Sequence, residues 1–221
     1  MSDDAADRGP RPRTAFSRRA AGGGLRLAVD GLAYGERDVL GPVTLMVRPG
    51  ETVALLGPSG IGKTTLLRVA AGLTHAEGTV RRPDRTAMVF QEPNLLPWRG
   101  ARANIGIVAG VDDAKAEAAL ARVGLAGRGA AFPRQLSLGQ QRRLALARAF
   151  AAEPDLVLLD EPFASLDEAT RDDMLALTAR LLRESGAAAL LVTHSRAEAA
   201  IADRILMLDG EPATLRDDAP A

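Results

Sequence analysis

The sequence predicts an α/β protein, a three-layer core built around a mostly parallel sheet. Three observations carry this expectation. The short apolar runs Val53-Ala54-Leu55-Leu56, Leu156-Val157-Leu158-Leu159 and Leu190-Leu191-Val192-Thr193 lack polar alternation, as strands buried on both faces do. Helical stretches fall between these runs, so strand and helix alternate along the chain. A glycine-rich turn joins the first run to the helix that follows it.

Taken in order, Leu25 to Val29 and Val43 to Val47 read as short strands separated by turn residues such as Gly31, Gly35 and Gly41. Val53 to Leu56 ends at Gly57, and a helix is expected from near Gly62 through Leu66, Leu67 and Ala70 to Gly72. Thr86 to Phe90 is a further strand. Residues 92–135 change character: Pro93, Pro97 and Pro133 surround an Ala-rich helical stretch from Asp112 to Val123. With the helix that opens after Ser137 and runs through Phe150, this reads as a helical subdomain over about 92–150. A helix from about Glu168 to Glu184 separates the second and third apolar strands, and Ile205 to Leu208 is expected to close the sheet. No internal repeat is visible.

Composition narrows the function classes. At 221 residues the chain can bury a substantial core without disulfides, and the absence of cysteine excludes thiolate metal sites and Cys nucleophiles. With 28 basic and 28 acidic residues there is no overall pull toward nucleic acid. No uninterrupted apolar stretch reaches the roughly 18 residues needed to span a bilayer. Residues 1–23, rich in Arg, Asp, Pro and Gly, are expected to be a disordered polar tail. Ser17-Arg18-Arg19 faintly resembles a twin-arginine export signal, but Arg26 and Asp30 interrupt the apolar region such a signal needs. Lysine occurs only as Lys63 and Lys115, so a lysine inside a glycine-rich turn stands out.

That turn reads Gly57-Pro58-Ser59-Gly60-Ile61-Gly62-Lys63-Thr64-Thr65 and fits G-x-x-x-x-G-K-[ST]. Glycines let the backbone curl so that N–H groups point inward at phosphate oxygens, and the following helix aims its positive end at the same place. Lys63 supplies a full charge to the β and γ phosphates of a nucleotide, and the Thr64 hydroxyl can ligate Mg2+. A buried strand before the turn and a helix after it supply the context the motif demands. The second apolar strand ends in Asp160-Glu161, at the edge of the sheet where α/β ligands sit. Asp160 suits the Mg2+ shell. Glu161, one residue on, points elsewhere, toward a water in line with the γ-phosphate, which is a general-base position.

Between these motifs lies Leu136-Ser137-Leu138-Gly139-Gln140-Gln141-Arg142, which opens an Arg- and Ala-rich helix. Here the chain resembles the nucleotide-binding domains of ABC transporters, whose signature reads LSGGQ. The resemblance covers about Leu25 to Gly210. It implies a P-loop NTPase core with an N-terminal antiparallel β subdomain, all within one ATPase domain over residues 24–221. It also implies roles residue by residue. Tyr34 matches the adenine-stacking aromatic, although an ordinary strand tyrosine would read the same. Gln91 matches the glutamine between the Mg2+ site and the helical subdomain. Asp167, in Ser165-Leu166-Asp167, matches the loop that communicates across the dimer. His194 matches the histidine on the γ-phosphate. Ser137, Gly139 and Gln140 would meet ATP bound to a second copy of the chain, so a homodimer with two ATP molecules in its interface is implied.

Leu138 departs from the family glycine. It is tolerable if its side chain points away from the nucleotide and its φ is negative, which predicts a working ATPase, slower at most. Turnover raised by orders of magnitude in Leu138→Gly would overturn that expectation. The segment Gln91-Glu92-Pro93-Asn94-Leu95-Leu96-Pro97-Trp98 resembles importer ATPases of the nitrate, sulfonate and taurine group. That implies permease subunits, a solute-binding protein and a peripheral place on the cytoplasmic face of the cell membrane. Leu95, Leu96 and Trp98 either form the permease docking surface or pack inside the small subdomain. An exporter of lipid or drug would use the same chemistry.

Overall fold

The computed structural model describes residues 15–17, 23–35 and 37–217, the first of these as backbone alone. Of the expected tail over 1–23, the described part is Gly23 and the strand β1 (Ala15–Ser17); the remainder lies outside the described residues. Next come β2 (Leu25–Tyr34), β3 (Arg37–Leu40) and β4 (Val43–Val47). β5 (Thr52–Leu56) leads into α1 (Lys63–Ala71), followed by β6 (Glu77–Arg81) and β7 (Thr86–Val89). Helices α2 (Ala101–Ala109) and α3 (Asp113–Arg122), a 3-10 turn at Pro133–Gln135 and α4 (Leu138–Ala151) form the next group. β8 (Leu156–Asp160), α5 (Glu168–Ser185), β9 (Ala188–Val192), α6 (Arg196–Ala199), β10 (Arg204–Asp209) and β11 (Thr214–Asp217) complete the chain.

One sheet has the order β11-β10-β5-β9-β8-β7. Its strands are parallel except β11, which pairs antiparallel with β10. The edge is therefore β11, where Ile205 to Leu208 was expected to close the sheet; four residues at the far C-terminus add one more strand by tertiary pairing that periodicity does not register. In the second sheet β2 pairs antiparallel with β3, β4 and β6, and β1 pairs parallel with β6.

The apolar runs divide their side chains between two cores. Leu156 and Leu158 join α1 and the antiparallel sheet on one side, while Val157 and Leu159 join α2 to α5 on the other. Period-2 geometry makes this inevitable for a strand covered on both faces. In β2, by contrast, Leu25, Leu27 and Val29 are buried while Arg26 and Ala28 are exposed, as in a sheet with one wet face.

The helical group contains a helix that the proline-rich composition hid. α2 follows a turn held by Asn104, which is fully buried. Its Oδ1 accepts from the Leu96 N–H at 2.7 Å, and its Nδ2 donates to the carbonyls of Leu96 (3.1 Å), Arg99 (2.9 Å) and Gly100 (3.2 Å). Every polar atom of that amide is satisfied, so the loop carrying Trp98 is held rigidly. No helix among the described residues is long and apolar enough to cross a membrane.

Candidate active site

The C-terminal ends of β5, β9 and β8 lie side by side, so the loops leaving them meet in one crevice, where open α/β sheets bind ligands. β5 delivers the phosphate loop. Gly57 has φ 157° and a Cβ there would lie 2.5 Å from the Leu208 carbonyl oxygen, so no side chain fits. Gly60 (φ 79°) and Gly62 (φ 111°) take conformations that glycine adopts freely. Gly62 also lies under β3, since a Cβ would stand 3.1 Å from both Leu40 and Val39.

Lys63, the first residue of α1, is buried. Its Nζ donates to the carbonyls of Gly57 (2.8 Å) and Pro58 (2.9 Å) and lies 3.9 Å from Glu161 Oε1. Burial pulls the Lys63 pKa down, opposed by the charges of Glu161 and Asp160. A buried ammonium held by neutral carbonyls of its own loop, at the positive end of a helix, fits a phosphate chain that supplies better acceptors.

Asp160 is buried at the end of β8 and its Oδ1 accepts from the Thr64 hydroxyl at 2.9 Å. Burial pushes its pKa up; the Thr64 hydrogen bond works against this, and the Glu161 charge adds to it. Among the described residues no group of three or more His, Asp and Glu is arranged to hold a metal. A Mg2+ ion would draw on Thr64 and Asp160, with the expected Gln91, and take its remaining ligands from phosphate and water, the usual habit of this ion. A hydroxyl beside a carboxylate that is costly to ionise without a cation fits such a role.

This leads to an expected result. With the folded-state pKa raised, Asp160 favours folding below the unfolded carboxylate range, and that contribution disappears as pH rises through the folded value. At neutral pH its charge opposes folding. Asp160→Asn should keep the Thr64 contact, raise the metal-free Tm, and lose Mg2+-dependent activity. A lower Tm in a thermal melt would refute the sign.

Glu161 has φ 42°, a left-handed backbone unusual for a non-glycine residue and typical of strained functional sites. Its N–H donates to the Val192 carbonyl at 2.9 Å, fastening it to the end of β9. Its side chain bridges two partners, Oε1 toward Lys63 and Oε2 at 3.5 Å from Nδ1 of His194. His194 is 56% exposed and opens to the crevice. Behind it the buried Thr193 hydroxyl donates to Glu198 Oε2 and accepts from the Ser195 N–H at 3.0 Å.

The remaining residues expected at the site stand further out. Tyr34 ends β2, half exposed, on the hairpin whose other strand covers Gly62. Gln91 is exposed and follows β7, the strand beside β8. Ser137 caps α4: its Oγ accepts from the Gln140 N–H at 3.3 Å while Gln140 Oε1 accepts from the Ser137 N–H at 3.0 Å. Leu138 is the first helical residue, with the negative φ of a helix and a side chain 43% exposed. Gly139 faces α5, where a Cβ would be 2.9 Å from Thr170 Cγ2. Asp167 caps α5 by accepting from the Thr170 N–H at 3.0 Å, and that bond holds its pKa low. Among the described residues no hydrogen bond or ion pair joins Ser137, Gly139 or Gln140 to this chain's own phosphate loop.

Sequence reasoning missed the wall of a cleft beside the loop, lined by Arg37, Asp38, Ser59, Ile61, Glu211 and Pro212. Gly210 to Ala213 reach it because the Gly41 N–H donates to the Ala213 carbonyl at 2.9 Å, a long-range pairing without a local signal.

The profile of the ABC transporter family matches residues 40–164. An aliphatic sulfonates import ATP-binding protein, SsuB 1 of Streptomyces avermitilis, is 47% identical over 202 residues, covering 89% of this chain and 78% of its own. SsuB 2 of Pseudomonas syringae pv. syringae is 50% identical over 193 residues, with 85% and 70% covered. A dimeric, post-hydrolysis structure of the ATP-binding cassette MJ0796 bound to ADP and Pi superposes with a TM-score of 0.76 at 29% identity, covering 89% of this chain and 100% of that one. Near-half identity across most of the chain, on the same fold, means that this protein belongs to the ABC transporter family.

Proposed function

We propose that this chain is the ATP-hydrolysing subunit of an importer of aliphatic sulfonates or similar small organic anions. It works as a dimer on the cytoplasmic face of the membrane, beneath permease subunits that a solute-binding protein supplies. The observation that carries the ATPase reading is Glu161, held between Lys63 and His194 at the mouth of the phosphate loop. Sulfonate as the cargo rests on the SsuB relatives, whose names describe import of aliphatic sulfonates.

In this reading the loop amides and Lys63 bind the β and γ phosphates, and Tyr34 stacks on the adenine. Thr64, Asp160 and Gln91 would hold Mg2+, which would supply positive charge against the phosphates. Glu161 takes the proton of a water whose oxygen bonds the γ-phosphorus as the bond to the bridging oxygen breaks, leaving ADP and phosphate. His194 holds a γ-phosphate oxygen. Ser137, Gly139, Gln140 and Asp167 complete the partner's site, which accounts for a signature turn remote from its own loop.

Trp98, 68% exposed, with the exposed Ile107 and Val108 on α2, forms the permease-docking surface. Leu95 instead packs partly into the helical core. The test is to purify tagged Glu161→Gln protein from its own cells in mild detergent with ATP and identify its companions by mass spectrometry. A multi-span permease is the expected companion. Ribosomal or nucleic-acid partners alone would sink the transport assignment.

A further inference from the structure

Arg142 lies on α4 and is buried, 7% exposed. Nη1 donates to the carbonyl of Pro162 at 2.5 Å, whereas Nε has no partner. Burial disfavours the charge, and the Glu198 carboxylate partly compensates. A half-satisfied buried cation costs stability that an apolar residue of equal volume would not. Packing alone therefore gives no reason for an arginine at this position, and its contacts do.

Pro162 immediately follows Glu161, whose left-handed backbone persists only where its surroundings hold it. The Glu161 carbonyl accepts from the Ala164 N–H at 3.2 Å, its N–H is tied to Val192, and Arg142 grips the next carbonyl from the helix opposite.

We propose that Arg142 is a positioning residue for hydrolysis, clamping the loop of Glu161 to the helix that Ser137 opens. This deepens the ATPase reading and rests on it.

The test is a double-mutant cycle on the purified protein, following single-turnover hydrolysis of radiolabelled ATP. Arg142→Met should lower the rate about tenfold with Glu161 present but less than about twofold in the Glu161→Gln background, because residues acting as one unit are non-additive. The KM for ATP should stay within about twofold, and Arg142→Lys, which keeps the charge and a donor, should recover most of the rate. Equal losses in both backgrounds, a raised KM with unchanged kcat, or no loss at all would overturn the proposal. Should Arg142→Met fail to fold in a thermal melt, Arg142→Gln, which is uncharged and too short to span the same gap, is read in the same cycle with the same expectation. A wild-type protein that hydrolyses no ATP would sink the ATPase reading itself, a distinct result.

Discussion

Glu161→Gln should lower kcat for ATP hydrolysis by about 10²–10⁴-fold, the range for loss of a general base, while leaving ATP bound. Glutamine keeps the size of the side chain, and the backbone bond to Val192 does not depend on the carboxylate. What disappears is the carboxylate proposed to take a proton from water. Charge repulsion near the γ-phosphate disappears with it, so the ATP-bound state is stabilised as hydrolysis stops. Because ligand shifts an equilibrium only by its differential affinity, a nucleotide that cannot be cleaved keeps the closed dimer populated. Size-exclusion chromatography in ATP and Mg2+ should show a dimer that is absent without nucleotide. A monomer under those conditions, or hydrolysis at the wild-type rate, would refute the scheme.

Lys63→Met should fail earlier, at binding. Methionine preserves most of the buried aliphatic volume but removes the donor that now bonds Gly57 and Pro58. It also removes the positive charge facing Glu161 and Asp160, so the crevice becomes net repulsive to phosphate. Loss of a charge-assisted contact should weaken ATP affinity by about 10- to 100-fold, read by calorimetric titration on protein whose fold is verified by its melt. Glu161→Gln separates from it cleanly, since that variant binds and does not turn over. Unchanged affinity in Lys63→Met would remove the lysine from the phosphate site. Leu138→Gly should by comparison change turnover little, because the Leu138 side chain is exposed on the outer turn of α4.

Much of this architecture is legible in the sequence. The apolar runs, the curled loop from Gly57 to Thr65 and the capping turn at Ser137 depend on neighbours within a few residues, so their patterns survive in one dimension. Asp160 and Glu161 were readable as a pair because successive side chains along a strand point to opposite faces, which sends neighbours apart. The helix Ala101–Ala109 was not readable, since Pro97 and Gly100 mask its start and Gly106 interrupts its pattern. β11 was missed for a similar reason: four residues carry too little periodicity to register.

By itself the sequence determined which chemical groups this protein possesses: a phosphate loop with one lysine, a paired acid, a histidine after a buried strand and a capped signature helix. Tertiary structure alone decided that the lysine, the acid and the histidine meet. The order β5-β9-β8 inserts the last of the three strands between the other two, which brings His194 to Glu161 and Glu161 to Lys63. The same long-range assembly lays β3 over Gly62 and buries Arg142 against Pro162. A pairing such as that of β5 with β9, more than a hundred residues apart, leaves no local trace, because strand order is chosen by which faces can be buried together, and that choice is made by the whole fold.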